Sequence, residues 1–205
     1  MSTTRVALVA FVALAAGCAT RTPPLTSLAG RNCDDAVDLA SATPLPLDAE
    51  KPFEARVGAE ARCIRTADGA EGAYLLFELP RSAGPFHVVV ESLTVGKSLF
   101  APQVTVLDAR GRAGRGLEVE RFNTRGTTLQ GTLFFEAVAS ERYLLVTSLG
   151  GHVGTSQTRR MQSIRTTPVF TGYVSFVVSH GAEAERAVVY AHNGHLRLHA
   201  RSNPH

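Results

Sequence analysis

The sequence predicts an all-β protein: an antiparallel β-sandwich, jelly-roll-like, of about 8–10 strands with a short N-terminal helical or coil extension. Three observations carry this. From Pro52 onward, short runs rich in Val, Leu, Phe and Tyr recur between turn residues. A 3.6-residue period is missing from every ten-residue stretch except the segment after Cys33 and Thr155 to Ile164. The 205 residues are enough for one core without a metal or a dense disulfide framework.

The first stretch, MSTTRVALVAFVALAAGC, has one basic residue, Arg5, then an uncharged apolar run from Val6 to Ala16 that is short for a bilayer span and ends in small residues. Residues 1–17 therefore read as a signal peptide. Leu14-Ala15-Ala16-Gly17-Cys18 resembles the lipobox of bacterial lipoproteins, so Cys18 is the expected lipidation site and the new amino terminus. Several acyl chains would hold the protein firmly, where one gives marginal binding. The alternative is ordinary secretory cleavage that leaves Cys18 a plain thiol. Ala19, where an aspartate marks inner-membrane retention, points to a chain lipid-anchored in the outer membrane and facing the periplasm.

Residues 18–50 read as tether and extension. Pro23-Pro24 keeps the start extended. A helical turn is expected at Asp34 to Ala40, capped by Asn32 or Asp34, with Thr43-Pro44-Leu45-Pro46 ending it. Cys33 and Cys63 form an even pair in an oxidising compartment, which predicts a disulfide; their isolation makes a poor zinc site.

Residues 51–201 read as the sandwich. The expected strands are Phe53 to Val57, Ala73 to Leu79, Phe86 to Leu93, Val104 to Asp108, Leu117 to Phe122, Gly131 to Val138, Arg142 to Ser148, Gly172 to Ser179, Ala187 to Ala191 and His195 to His199. Runs such as Leu-Leu-Val suggest strands covered on both faces, with Leu117 to Phe122 at an exposed edge.

Gly96-Lys97-Ser98 ends like a phosphate-binding loop, but the leading glycine is replaced by Glu91, and Phe100-Ala101-Pro102 runs into β-branched residues and not a helix. It reads as a loop between strands. A net charge of +3 is too small to imply nucleic acid. From Tyr143 to Ala182 there is no acidic residue, and Arg159, Arg160 and Arg165 lie together in what reads as a long loop. They are the candidate patch for an envelope protein, an anionic envelope polymer or lipid head groups; a solvated loop is the bland alternative.

No catalytic, cofactor or metal residues emerge. The chain lacks a Gly-x-Ser-x-Gly elbow, and pairing Ser92, Ser148 or Ser156 with His152 or His180 and Asp108 is unconstrained. His195 and His199 share a strand face with Arg197, which opposes a cation. Asp108 reads as a turn former bonding nearby amides. With no tryptophan, and with Tyr74, Tyr143, Tyr173 and Tyr190 inside strands, the chain offers few flat platforms for a sugar.

From Phe77 to His199 the order of short motifs resembles the maltose-operon periplasmic protein family. The matching elements are Phe77-Glu78-Leu79-Pro80 after Gly72 and Tyr74, Glu91-Ser92-Leu93, Phe100-Ala101-Pro102-Gln103-Val104, Tyr143 to Thr147, and Ala191-His192 before Gly194 to Leu198. The resemblance implies a periplasmic β domain associated with maltose or maltodextrin uptake and supplies no catalytic residues. The lipobox-like Cys18 and the arginine-rich stretch from Gly111 to Gly126 depart from it. The resulting expectation is a non-enzymatic, lipid-anchored accessory or interaction module of the cell envelope; a glycan-binding protein, with an oligosaccharide as partner, and an envelope hydrolase are the alternatives.

Overall fold

The computed structural model describes residues 23–136, 140–149, 151–170, 172–173 and 175–203. Its strands are β1 (Thr43–Pro44), β2 (Phe53–Val57), β3 (Cys63–Arg65), β4 (Glu71–Glu78), β5 (Phe86–Leu93), β6 (Ser98–Phe100), β7 (Gln103–Asp108), β8 (Ala113–Leu117), β9 (Asn123–Arg125), β10 (Thr128–Phe135), β11 (Glu141–Thr147), β12 (Ser156–Phe170), β13 (Ser175–Ala191) and β14 (Gly194–Ser202).

Two sheets face each other. One runs β2-β14-β5-β10-β9 and the other β1-β4-β11-β7-β8, with β3 also on β4. Taking β2, β4, β5, β7, β8, β10, β11 and β14 as eight principal strands in chain order, the sheets run first-eighth-third-sixth and second-seventh-fourth-fifth. That is the interleaving of a jelly roll, built from two Greek keys. The pleat decides what each strand buries. In β14, Leu196, Leu198 and Ala200 are fully buried while His195, Arg197, His199 and Arg201 stand on the outer face. Phe77, Val88, Val90, Phe100, Val106 and Phe135 contribute to the core between the sheets.

The N-terminal extension covers the outer face of the second sheet. Val37, Leu39, Ala42 and Ile64 pack on Tyr74, Leu76, Leu107 and Leu145, so β4 and β11 bury residues on both faces and read as continuous apolar runs. The extension is tied down by the Cys33–Cys63 disulfide, which Leu28 shields, and by the parallel bridge of Asp34 with Ile64.

Three expected elements differ. The helical turn is a 3-10 turn at Leu39–Ser41, capped by Asp38, whose carboxylate accepts the Ala40 N–H; Asp34 is instead drawn into pairing with Ile64. The alternating stretch from Leu117 to Phe122 breaks after Leu117 into a 3-10 turn, Val119–Arg121, which brings Phe122 back into the core. The stretch expected as a long loop followed by two short strands is one antiparallel hairpin of β12 and β13, in register from Ser156↔Val189 to Phe170↔Ser175.

Candidate functional site: the loop end of the sandwich and its ribbon

The loops that cross between sheets at one end of the jelly roll are drawn together by contacts far apart in sequence. Gly96-Lys97 is the centre of a tight turn: Val95 and Ser98 exchange both backbone hydrogen bonds at 2.9 Å, and Gly96 takes φ +63°. Such a φ strains any residue with a Cβ. The lysine carbonyl accepts the Val189 N–H at 2.7 Å, which starts the parallel pairing of β6 with β13. The phosphate-loop letters thus make a strand-to-strand turn that carries the base of the hairpin.

Beside this turn lies an open cleft of about 550 Å³ lined by Arg56, Val57, Glu60, Val95, Ser98 and His195, among others. Ser98 is buried, and its hydroxyl has no hydrogen-bond partner. His195 Nε2 is 3.5 Å from a Glu54 carboxylate oxygen, and Arg197 Nε is 3.3 Å from the other. Gly194 sits at the back of the cleft, where a Cβ would come within 2.8 Å of the Phe100 backbone nitrogen. The cleft offers a free hydroxyl with one cation and one anion, which suits a small polar ligand more than a strongly charged one.

Of the serines weighed as catalytic, Ser148 meets a histidine other than those paired with it from the sequence, with Ser148 Oγ 2.8 Å from His192 Nδ1. Both are buried, and the same hydroxyl accepts the Ala73 N–H at 2.9 Å. Burial, with Arg31 nearby, holds the imidazole below its ordinary value, while Glu71 works the other way. The pair ties β4 to the turn before β14. The rest are dispersed: Ser92 Oγ donates to the Phe100 carbonyl, and His152 pairs with Glu120. Asp108 Oδ1 accepts the N–H groups of Arg110 and Arg112, the turn-forming role read from the sequence.

The N-terminal segment ends at the same place. His192 N–H reaches the Leu25 carbonyl at 2.8 Å, and the Asn193 side chain bonds both Leu25 and Pro23. No signal in the sequence marks Asn193 for this role, since it acts on a segment 168 residues away.

From this end the hairpin continues outward as a two-stranded ribbon. Val188, opposite Gln157, is still buried in the core; from there to Phe170↔Ser175, β12 pairs with β13 alone in the strand pairings of the described residues. At roughly 3.3 Å per residue these fourteen rungs reach about 45 Å. Arg159, Arg160 and Arg165 stand in the ribbon at the rungs of Arg186, Glu185 and His180. They are therefore in regular β-structure and not in a loop, and their side chains lie outside the described part, as does Cys18. Near the far end Phe170, Tyr173 and Val177 are 77%, 102% and 64% exposed.

No helix among the described residues is long and apolar enough to cross a membrane. No curated protein and no solved structure matches the chain. The family model described as Maltose operon periplasmic protein precursor (MalM) matches residues 69–159, which run from the approach to β4 into the first rungs of the ribbon. Over that stretch the chain matches the maltose operon periplasmic protein family, the one its motifs resemble, and the match supports a periplasmic, maltose-related role.

Proposed function

We propose that this chain is a non-enzymatic lipoprotein of the cell envelope, held in the outer membrane through acylated Cys18, facing the periplasm, and acting as an accessory in maltose or maltodextrin transport by presenting its ribbon to a partner. The observation that carries the reading is the ribbon itself. A two-stranded hairpin is marginal in water on its own, so fourteen rungs with exposed aromatics at the end are best accounted for by a surface that they meet. Its arginines, Arg159, Arg160 and Arg165, suit phosphates or carboxylates of an envelope protein or polymer. The short tether from Cys18 to the pinned Pro23 supports anchoring close to the body. The enclosed Ser148–His192 pair, its hydroxyl already bonded, supports a role without catalysis.

The test compares partners retained from detergent-solubilised envelope by the full chain and by a chain in which residues 160–185 are replaced by Asn-Gly, joining the paired Arg159 and Arg186 directly. Retention of every partner by the shortened chain would reject the reading. Intact mass of the membrane-bound protein checks the anchor: the chain should begin at Cys18 and carry acyl mass, and a soluble product cut elsewhere would refute it.

A second reading, oligosaccharide binding, is favoured by the cleft with its unpartnered Ser98 hydroxyl. Titration with maltodextrins against the wild type and Ser98→Ala checks it. Binding weakened by the loss of that hydroxyl supports it, and no heat of binding in either protein rejects it.

A further inference from the structure

We propose that the far end of the ribbon is a membrane-contacting tip, whose apolar residues seat in the interfacial layer of a lipid bilayer. The inference rests on the reading of the ribbon as the interaction element and names what its end touches.

The first ground is composition. Residues 166–182 contain no Asp, Glu, Lys or Arg, and they hold Val169, Phe170, Tyr173, Val174, Phe176, Val177 and Val178. The second is position. Phe170, Tyr173 and Val177 are exposed at the point of the ribbon farthest along the chain pairing from the core. Singly exposed hydrophobics are ordinary, but three large ones on one hairpin end leave apolar surface in water that a partner must cover.

The third ground separates lipid from a second protein strand. Edge-to-edge addition needs a continuous row of N–H groups, and on the β12 edge Pro168 interrupts it. Thr166, Thr167, Ser175 and the Tyr173 hydroxyl are exposed among the apolar groups. That mixture of rings and short hydroxyls is what the water-to-acyl boundary accepts, and aromatic residues concentrate there. A hairpin with open edges cannot enter the hydrocarbon, where its free backbone groups would find no partner. The contact is therefore shallow, on the order of 5–10 Å.

The order of charges fits that depth. Arg165 is the first fixed charge behind the tip on β12, five rungs from Phe170, or about 17 Å. The first acid on β13, Glu183, stands eight rungs back opposite Gln162, and Arg160 and Arg159 lie behind it. A neutral end whose first fixed charge is the cation Arg165, three rungs nearer the tip than the first anion, complements a surface of acyl chains beneath anionic phosphates.

The chain contains no tryptophan, so a single one reports its own site. The full chain with Tyr173→Trp, reconstituted into phosphatidylcholine vesicles containing a quarter phosphatidylglycerol and acyl chains brominated near the head group, should emit at shorter wavelength than in buffer. It should also lose at least half its intensity to the bromines. Phe134→Trp, at a position 64% exposed on the outer face of the sandwich, should stay unquenched. Adding Phe170→Ser and Val177→Ser to Tyr173→Trp should abolish the quenching. If the Tyr173→Trp protein emits as in water and is not quenched, the proposal is wrong. If it is unquenched while the shortened ribbon still loses envelope partners, the end meets protein and the reading of the ribbon survives; if shortening changes nothing either, both fall.

Discussion

Asn193 holds Leu25 with its side chain: Oδ1 accepts the Leu25 N–H at 2.8 Å while Nδ2 donates to the Pro23 carbonyl at 3.0 Å. One amide thus fastens the N-terminal segment to the turn between ribbon and body. Asn193→Ala leaves both backbone groups without their partner and should cost about 1–3 kcal/mol. It should also open the segment before Leu28 to protease, whereas Asn193→Asp keeps the bond to Leu25 and loses less. Limited proteolysis beside urea unfolding measures both effects.

The Cys33–Cys63 bridge closes a loop with a sequence separation of 30, with Cα atoms 4.7 Å apart. In the chain-entropy account such a closure contributes about 3–4 kcal/mol. Cys33→Ala/Cys63→Ala should lose about that much in chemical unfolding. Free thiols in the native protein, detected by alkylation and peptide mapping, would contradict the pairing.

His192 makes stability depend on pH. Its proton affinity is lowered in the fold, first by burial and then by Arg31, so the unfolded chain takes up the proton more readily. Stability is then complete above the ordinary imidazole value of 6.5 and is lost as pH falls through it toward the lower folded value. The slope from one such group is at most about 1.4 kcal/mol per pH unit. Unfolding at pH 7.5 and 5.5 should show a smaller loss in His192→Gln than in the wild type. Equal losses would clear His192 of the effect.

Two glycines at the loop end should respond in opposite ways to alanine. Gly194→Ala pushes a methyl against the Phe100 backbone and should cost about 1–3 kcal/mol, because backbone cannot step aside as a flexible side chain does. Gly151 has nothing within 4 Å of an added Cβ, and Gly151→Ala should be neutral or slightly stabilising. Thermal melting of the two variants distinguishes them.

Replacing Arg159, Arg160 and Arg165 with Gln should leave the melting temperature nearly unchanged, since all three lie on the two-stranded ribbon and not in a strand of the sandwich. Retention on anionic lipid or a co-purified partner should fall, most at low salt. Unfolding of the triple variant would make the arginines structural.

The sandwich strands were legible because their burial follows the pleat, as the alternation in β5 and β14 does, or because both faces are covered, as in β4. The ribbon was not. Its first strand, Ser-Gln-Thr-Arg-Arg-Met-Gln-Ser-Ile-Arg, has no apolar face to alternate, and its second passes through Ala-Glu-Ala-Glu-Arg, residues that favour helix. Each is a strand because of the other, a pairing that no local pattern carries. The cleft was equally hidden, since Arg56, Ser98 and His195 come from β2, β6 and β14, strands far apart in sequence that only the jelly-roll topology brings together. Cys33 and Cys63 were legible because chemistry and compartment, not geometry, select them.

The two proposed attachments at the loop end differ in reach. Between Cys18 and Pro23 the chain spans at most about 18 Å, while the ribbon extends about 45 Å from nearly the same point. On the proposal that Cys18 is acylated and the tip seats in the same leaflet, the ribbon would have to lie low, inclined by no more than about 25° to the membrane plane. The molecule then behaves as an outrigger: a short mooring sets its height, and a long, shallow arm sets its heading and stops it from swivelling. Lengthening the tether would leave the protein on the membrane but release that angle.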